Sequence, residues 1–95
     1  MGMFSDTYTG EYGSHKISII GKSGLRASFE LHIDGKLVDS GKANLSNSNL
    51  RLELHGLIQE DKKDKAVIVQ IEHRSFEGLI PKLIVNNVQL PLKKK

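Results

Sequence analysis

The amino-acid sequence predicts an all-β domain, an antiparallel β-sandwich of about seven or eight short strands, with a small β-barrel as the alternative. Three observations carry this. Apolar residues alternate with polar ones in nearly every apolar segment, the period of a half-buried strand. Two-residue turn signals separate several of these segments. No segment combines apolar residues at three- and four-residue spacing with a capping signal, as a helix requires.

The elements follow in chain order. Residues 1 to 7 are polar, contain glycine and are expected to be loose. In "HKISII" (15 to 20) Ile17 and Ile19 face one way. "GKSG" (21 to 24) reads as a turn. In "ASFELHI" (27 to 33) Phe29, Leu31 and Ile33 lie on one face, with Ser28, Glu30 and His32 on the other. Asp34-Gly35 then supplies a type I′ hairpin, because both residues accept positive φ cheaply; it predicts Ile33 opposite Lys36 and Leu31 opposite Val38. "NSN" (47 to 49) reads as a longer polar connection. "SNSNLRLELHGLIQE" begins with good helix-capping residues, but Leu50, Leu52 and Leu54 have the period of a strand, which leaves room for a single helical turn over 44 to 49. "EDKKDK" (60 to 65) reads as a second polar connection. In "AVIVQIEH" (66 to 73) Val67, Val69 and Ile71 alternate with Ile68, Gln70 and Glu72. "PKLIVNNVQLPL" (81 to 92) forms a closing hairpin on Asn86-Asn87, pairing Val85 with Val88 and Leu83 with Leu90. The expected core is Ile17, Ile19, Phe29, Leu31, Ile33, Leu50, Leu52, Leu54, Val67, Val69, Ile71, Leu83, Val85, Val88 and Leu90.

A chain of 95 residues has room for one such core and one domain. With no tryptophan and only five aromatic residues, that core must be aliphatic. The absence of cysteine excludes disulfides, thiolate metal sites and a cysteine nucleophile, and it suits a cytoplasmic protein. The net charge of +3 is matched by Lys93, Lys94 and Lys95, a basic tail, so residues 1 to 92 are formally neutral. A charge confined to one end is not the basic face that nucleic-acid binding needs. No apolar run approaches the roughly 18 residues of a membrane-spanning helix.

"GSHKISI" (13 to 19), followed by "FELHIDGK" (29 to 36), resembles the opening of the Fas apoptotic inhibitory molecule family. Members have a similar Gly-x-His-Lys-Ile strand and then a strand ending in Val-Asp-Gly-Lys. "PKLIVNNVQLPL" is similar to that family's final hairpin. The likeness spans residues 13 to 92, although the family has two such domains and tryptophans that this chain lacks. It implies a non-catalytic β-sandwich that binds protein partners and protects from cell death or aggregation. It brings no active site; Asp34 and Gly35 match a structural turn.

The residues themselves offer few sites. Glu-Leu-His occurs twice, and in each copy Glu and His share one face of a strand. Were the two strands neighbours, Glu30, His32, Glu53 and His55 would gather into a two-histidine, two-carboxylate set suited to zinc or a similar ion. The blander expectation is cross-strand pairing on the wet face of a sheet, with no metal and no cofactor. His73 closes a strand and reads as an edge histidine. "GKSGL" lacks the second glycine spacing and the strand-to-helix context of a serine nucleophile turn. As a phosphate loop it would need a glycine where Lys16 stands. No catalytic residue is therefore expected. Lys16, Lys22, Arg26, Lys36 and Lys42, with Tyr8, Tyr12 and Phe29, would suit a strand-binding barrel, but Glu30, Asp34 and Asp39 intervene. A non-enzymatic module that binds a protein partner is the leading expectation. A nucleic-acid binder and a metal-binding domain are the alternatives.

Overall fold

The computed structural model describes residues 4–23, 27–43, 51–74 and 78–94. Among them nine strands follow one another: β1 (Phe4–Tyr12), β2 (His15–Ser23), β3 (Ala27–Ile33), β4 (Lys36–Ala43), β5 (Arg51–Glu60), β6 (Lys63–Arg74), β7 (Gly78–Val85), β8 (Val88–Leu90) and β9 (Lys93–Lys94). They form two antiparallel sheets that do not close into a barrel. The first has the order β4-β3-β2-β1-β9 and the second β5-β6-β7-β8. The architecture is that of a β-sandwich, as the alternation predicts.

Alternation dictates the core. Ile17, Ile19, Phe29, Leu31 and Ile33 line the inner face of the first sheet, and Leu54, Ile58, Val67, Val69, Ile71, Leu83 and Val85 line that of the second. Leu52 and Leu90 pack against this cluster from its margins. Ile58 is an addition: Gly56 interrupts the apolar alternation of β5, and Ile58 resumes it. Val88 is a correction, since it pairs with Val85 yet is 56% exposed. Its strand is three residues long and has no cover at that end of the sandwich. Leu50, the "NSN" connection and the helical turn over 44 to 49 lie outside the described residues.

The ladders correct the sequence reading at both ends of the chain and in two hairpins. Residues 4 to 7 are not loose: they belong to β1 and pair with residues 20 to 23. A two-residue turn at Gly13-Ser14, with Gly13 at φ 60°, holds the β1–β2 register. The basic tail is likewise placed, because Lys93 and Lys94 pair with Thr9 and Tyr8. Lys94 Nζ lies 3.6 Å from an Asp6 carboxylate oxygen and 6.0 Å from the centre of the Tyr8 ring. Finally, Leu31 faces Asp39 rather than Val38, because the register shifts between Leu31 and His32 and Val38 becomes the extra residue of a bulge.

"EDKKDK" is a tight hairpin, not a long connection. Glu60 pairs with Lys63 across Asp61 (φ 52°) and Lys62 (φ 62°). A lysine in the left-handed region carries a cost of about 1–2 kcal/mol. Lys62→Gly removes that cost and loosens the unfolded chain, so a net gain of about 0.5–1 kcal/mol is expected. Urea midpoints of the two proteins check it; an unchanged or lower midpoint would show that the turn tolerates lysine without strain.

Pro81 sits in β7 opposite Ile71, with its ring in the core. The pair flanking a two-residue hairpin turn exchanges hydrogen bonds, so Val85, Leu83 and Pro81 in alternation turn their backbone polar groups toward the β8 side. Since β8 ends at Leu90, opposite Leu83, Pro81 stands on the open stretch of this edge and has no N–H to offer there.

Candidate functional site

The two Glu-Leu-His copies do not meet. Glu30 and His32 project from the outer face of the first sheet, because Phe29, Leu31 and Ile33 take the inner one. Glu53 and His55 project from the outer face of the second sheet, because Leu54 points inward. The whole core separates the pairs. Within each copy the partners do approach: His32 Nε2 lies 3.2 Å from Glu30 Oε1, and His55 Nε2 lies 3.9 Å from Glu53 Oε2. The first is a hydrogen bond between half-buried groups and the second an exposed, looser approach. The four-residue cluster envisaged from sequence is not formed. Among the described residues no group of three or more His, Cys, Asp or Glu side chains is arranged to hold a metal ion.

The other motifs resolve as sheet. Gly21, Lys22 and Ser23 lie within β2, so the turn expected over 21 to 24 is strand through Ser23, and Gly24 lies outside the described residues. Phe29 is buried and Tyr8 and Tyr12 pack against the core, which removes them as stacking platforms. Lys22 and Lys42 flank Ser28 on the outer face of the first sheet. His73 opposes Leu79 in the β6–β7 ladder, and its side chain lies outside the described part.

Sequence reasoning missed a cluster at the turn end of the sandwich. His15 opens β2 and pairs with Tyr12, on the inner-facing side of the sheet. Its Nδ1 lies 2.7 Å from Oδ2 of Asp34 in the β3–β4 turn. Asp34 Oδ1 accepts from the Lys16 N–H at 2.9 Å, and the Asp34 N–H donates to the Lys16 carbonyl at 2.8 Å. From the second sheet, the backbone of Gln59 and the carboxylate of Glu60 also favour a proton on the His15 ring. A neutral imidazole donates from one nitrogen only, whereas an imidazolium donates from both. Protonated His15 is therefore bonded to Asp34 and favoured by groups of the second sheet. The Asp34 carboxylate, ahead of the Gln59 backbone and Glu60, holds the His15 pKa above its ordinary 6.5 against partial desolvation. The Lys16 N–H, and then His15, hold Asp34 below its ordinary 3.8. The spacing of 19 residues carried no signal, since only the strand register joins these two positions.

The sign of the pH effect follows. Asp34 contributes stability above pH 3.8, and the contribution is lost as pH falls through its lowered pKa. His15 contributes fully below pH 6.5, and the contribution is lost as pH rises through its raised pKa. The pair thus acts between those two values. The melting-temperature advantage of the native chain over His15→Gln is expected to be greatest near pH 5–6 and to shrink above pH 7. An advantage constant from pH 5 to 9 would show that the proton on His15 carries none of it.

The β4–β5 rim is the second feature. The two sheet edges meet here without a backbone ladder. Asp39 of the bulge points inward, its Oδ2 accepting from the His55 N–H at 2.8 Å and its Oδ1 from the Ser40 N–H at 2.9 Å. An inward-pointing charge of this kind blunts an edge strand. Gly56 leaves the space that Val38 needs: a β-carbon there would lie 2.9 Å from Val38 Cγ1. Beside this stitch, Leu37, Val38 and Leu57 are 57%, 41% and 64% exposed. At the opposite rim, an open groove of about 440 Å³ runs past Tyr8, Ile80, Lys82, Gln89 and Leu92.

No family model, curated protein or solved structure matches the chain. No helix among the described residues is long and apolar enough to cross a membrane.

Proposed function

We propose that this chain is a non-enzymatic protein–protein interaction module of the cytoplasm that receives its partner on the β4–β5 rim. One observation carries the reading. Leu37, Val38 and Leu57 are the large apolar side chains left exposed beside a pair of sheet edges, where a folded monomer gains nothing by exposing them. Their strands run antiparallel along the rim, with Val38 against Gly56, so Leu37 and Leu57 stand at corresponding positions of the two edge strands, Leu37 on the outer side of the first sheet and Leu57 on that of the second. Such a strip suits an extended or β-edge partner, whose side chains would seat on the leucines. The likeness to the Fas apoptotic inhibitory molecule family at residues 13 to 36 and 81 to 92 supports the same class of function.

The test compares two immobilised baits, the native chain and Leu37→Ser/Leu57→Ser. A protein partner retained by the first and lost by the second, with circular dichroism unchanged, supports the reading. Identical retention on both baits would move the binding surface elsewhere, and no retained protein on either would sink the reading. The nucleic-acid alternative is disfavoured by the inward placement of Phe29, Tyr8 and Tyr12. It would be revived by salt-sensitive oligonucleotide binding that survives deletion of residues 93 to 95.

A further inference from the structure

The two outer faces of the sandwich differ in a way the rim does not explain. On the second sheet, the outward residues form rows across the strands. One row is Glu53, Gln70 and Lys82; the next is His55, Ile68, Ile84 and Gln89; a third joins Leu57 to Ala66. Isoleucines thus occupy the middle of a face that a one-sided sheet would fill with polar residues. Charges of opposite sign stand at the two ends of the neighbouring row.

We propose that this outer face of the second sheet is the contact surface of a homodimer, in which two copies stack sheet on sheet about a two-fold axis along β6. Such an axis exchanges the two sides of each row. It places Ile68 over its own counterpart, Gln70 over Gln70 and Lys82 over Glu53 of the second copy. It also seats Ile84 over the imidazole of His55. An isologous interface demands this kind of self-complementarity. Sheets packed face to face lie about 10 Å apart, near enough for these side chains to meet.

The outer face of the first sheet supplies the contrast within the same molecule. Its corresponding row runs Ser5, Lys22, Ser28 and Lys42, with a positive charge on each side of Ser28. A two-fold axis along β3 there would set lysine over lysine. Its other rows, Lys93, Thr9, Ser18, His32 and Leu37, and Thr7, Ile20, Glu30 and Ser40, hold one isoleucine away from the edge and one leucine at the rim, with no two apolar residues adjacent. Charge and apolar pattern together therefore choose the second sheet and a second copy of this chain. The surface is distinct from the β4–β5 rim, although Leu57 borders both.

The test is sedimentation velocity on the full chain from micromolar to near-millimolar concentration. A concentration-dependent dimer is expected, together with a monomeric Ile68→Lys that keeps its circular dichroism spectrum. Glu53→Lys should raise the dimer dissociation constant by at least about tenfold through like charges, and the swap Glu53→Lys/Lys82→Glu should restore it. Leu37→Ser, which touches only the rim, should leave the dimer unchanged and so separates this proposal from the functional one. A chain that stays monomeric throughout overturns the proposal. So does a dimer that survives Ile68→Lys, or one in which the charge swap fails to recover what Glu53→Lys loses.

Discussion

Val69→Asp is expected to leave the chain unfolded. Val69 has no exposed surface and lies in β6, between Leu54 of β5 and Leu83 of β7. No hydrogen-bond donor on the inner face stands ready for a carboxylate, since the buried cluster contains no polar side chain among the described residues. An unpaired carboxyl there costs several kcal/mol, against a total stability of about 5–10 kcal/mol for a domain of this size. Lost chemical-shift dispersion in an NMR spectrum is the readout. The control is the neighbouring position: Ile68→Asp points to the outer face and is expected to keep the fold. If both variants fold, or both unfold, the inner and outer assignments of β6 are wrong.

Phe29→Ala is expected to destabilise by about 3–5 kcal/mol. Among the described residues Phe29 is the one aromatic side chain in the buried cluster, and its partner across the β2–β3 ladder is Gly21. A β-carbon on Gly21 would lie 2.7 Å from Phe29 Cε1, so the ring covers the glycine and fills the gap it leaves. Truncating the phenyl group empties both positions at once, and neither neighbour in the pair has a side chain that can collapse inward. Urea unfolding gives the loss directly. A change below about 1 kcal/mol would mean that the ring is not a filler of the core, contrary to its burial. The reciprocal change, Gly21→Val, pushes branched carbons into the same ring and should be destabilising too.

Much of this fold is legible in the sequence because period-two alternation is a local property. Phe29, Leu31 and Ile33 specify an inner face without reference to any other strand, and so do Val67, Val69 and Ile71. The hairpins at Asp34-Gly35 and Asn86-Asn87 are equally local, and Ile33 with Lys36 and Val85 with Val88 pair as their turns require. What was hidden depends on distant parts of the chain. β1 is a strand because its nine residues find β2 across a turn at Gly13-Ser14, although few of its residues are strongly apolar. The bulge at Val38 sits where β4 meets β5, and Asp39 is turned toward the His55 N–H there. The Asp61-Lys62 hairpin resembled a solvated charge run, because lysine is an unusual occupant of positive φ. The site was harder to read than the fold. The repeat of Glu-Leu-His was conspicuous and its two copies lie on opposite outer faces. The pairing of His15 with Asp34 left no mark in the sequence and stands at hydrogen-bonding distance.

Pro81 has a consequence for what the chain does at high concentration. A β-sheet grows into a fibre by adding strands at an edge, each new strand reading N–H and C=O groups in alternation. Along the stretch of β7 beyond β8, that reading fails at Pro81, where only a carbonyl is present. An incoming copy of the same apolar strand, "GLIPKLIV", meets the identical gap in itself. The proline thus guards twice, once in the template and once in the segment that would be recruited, and it keeps this open edge from propagating its own kind.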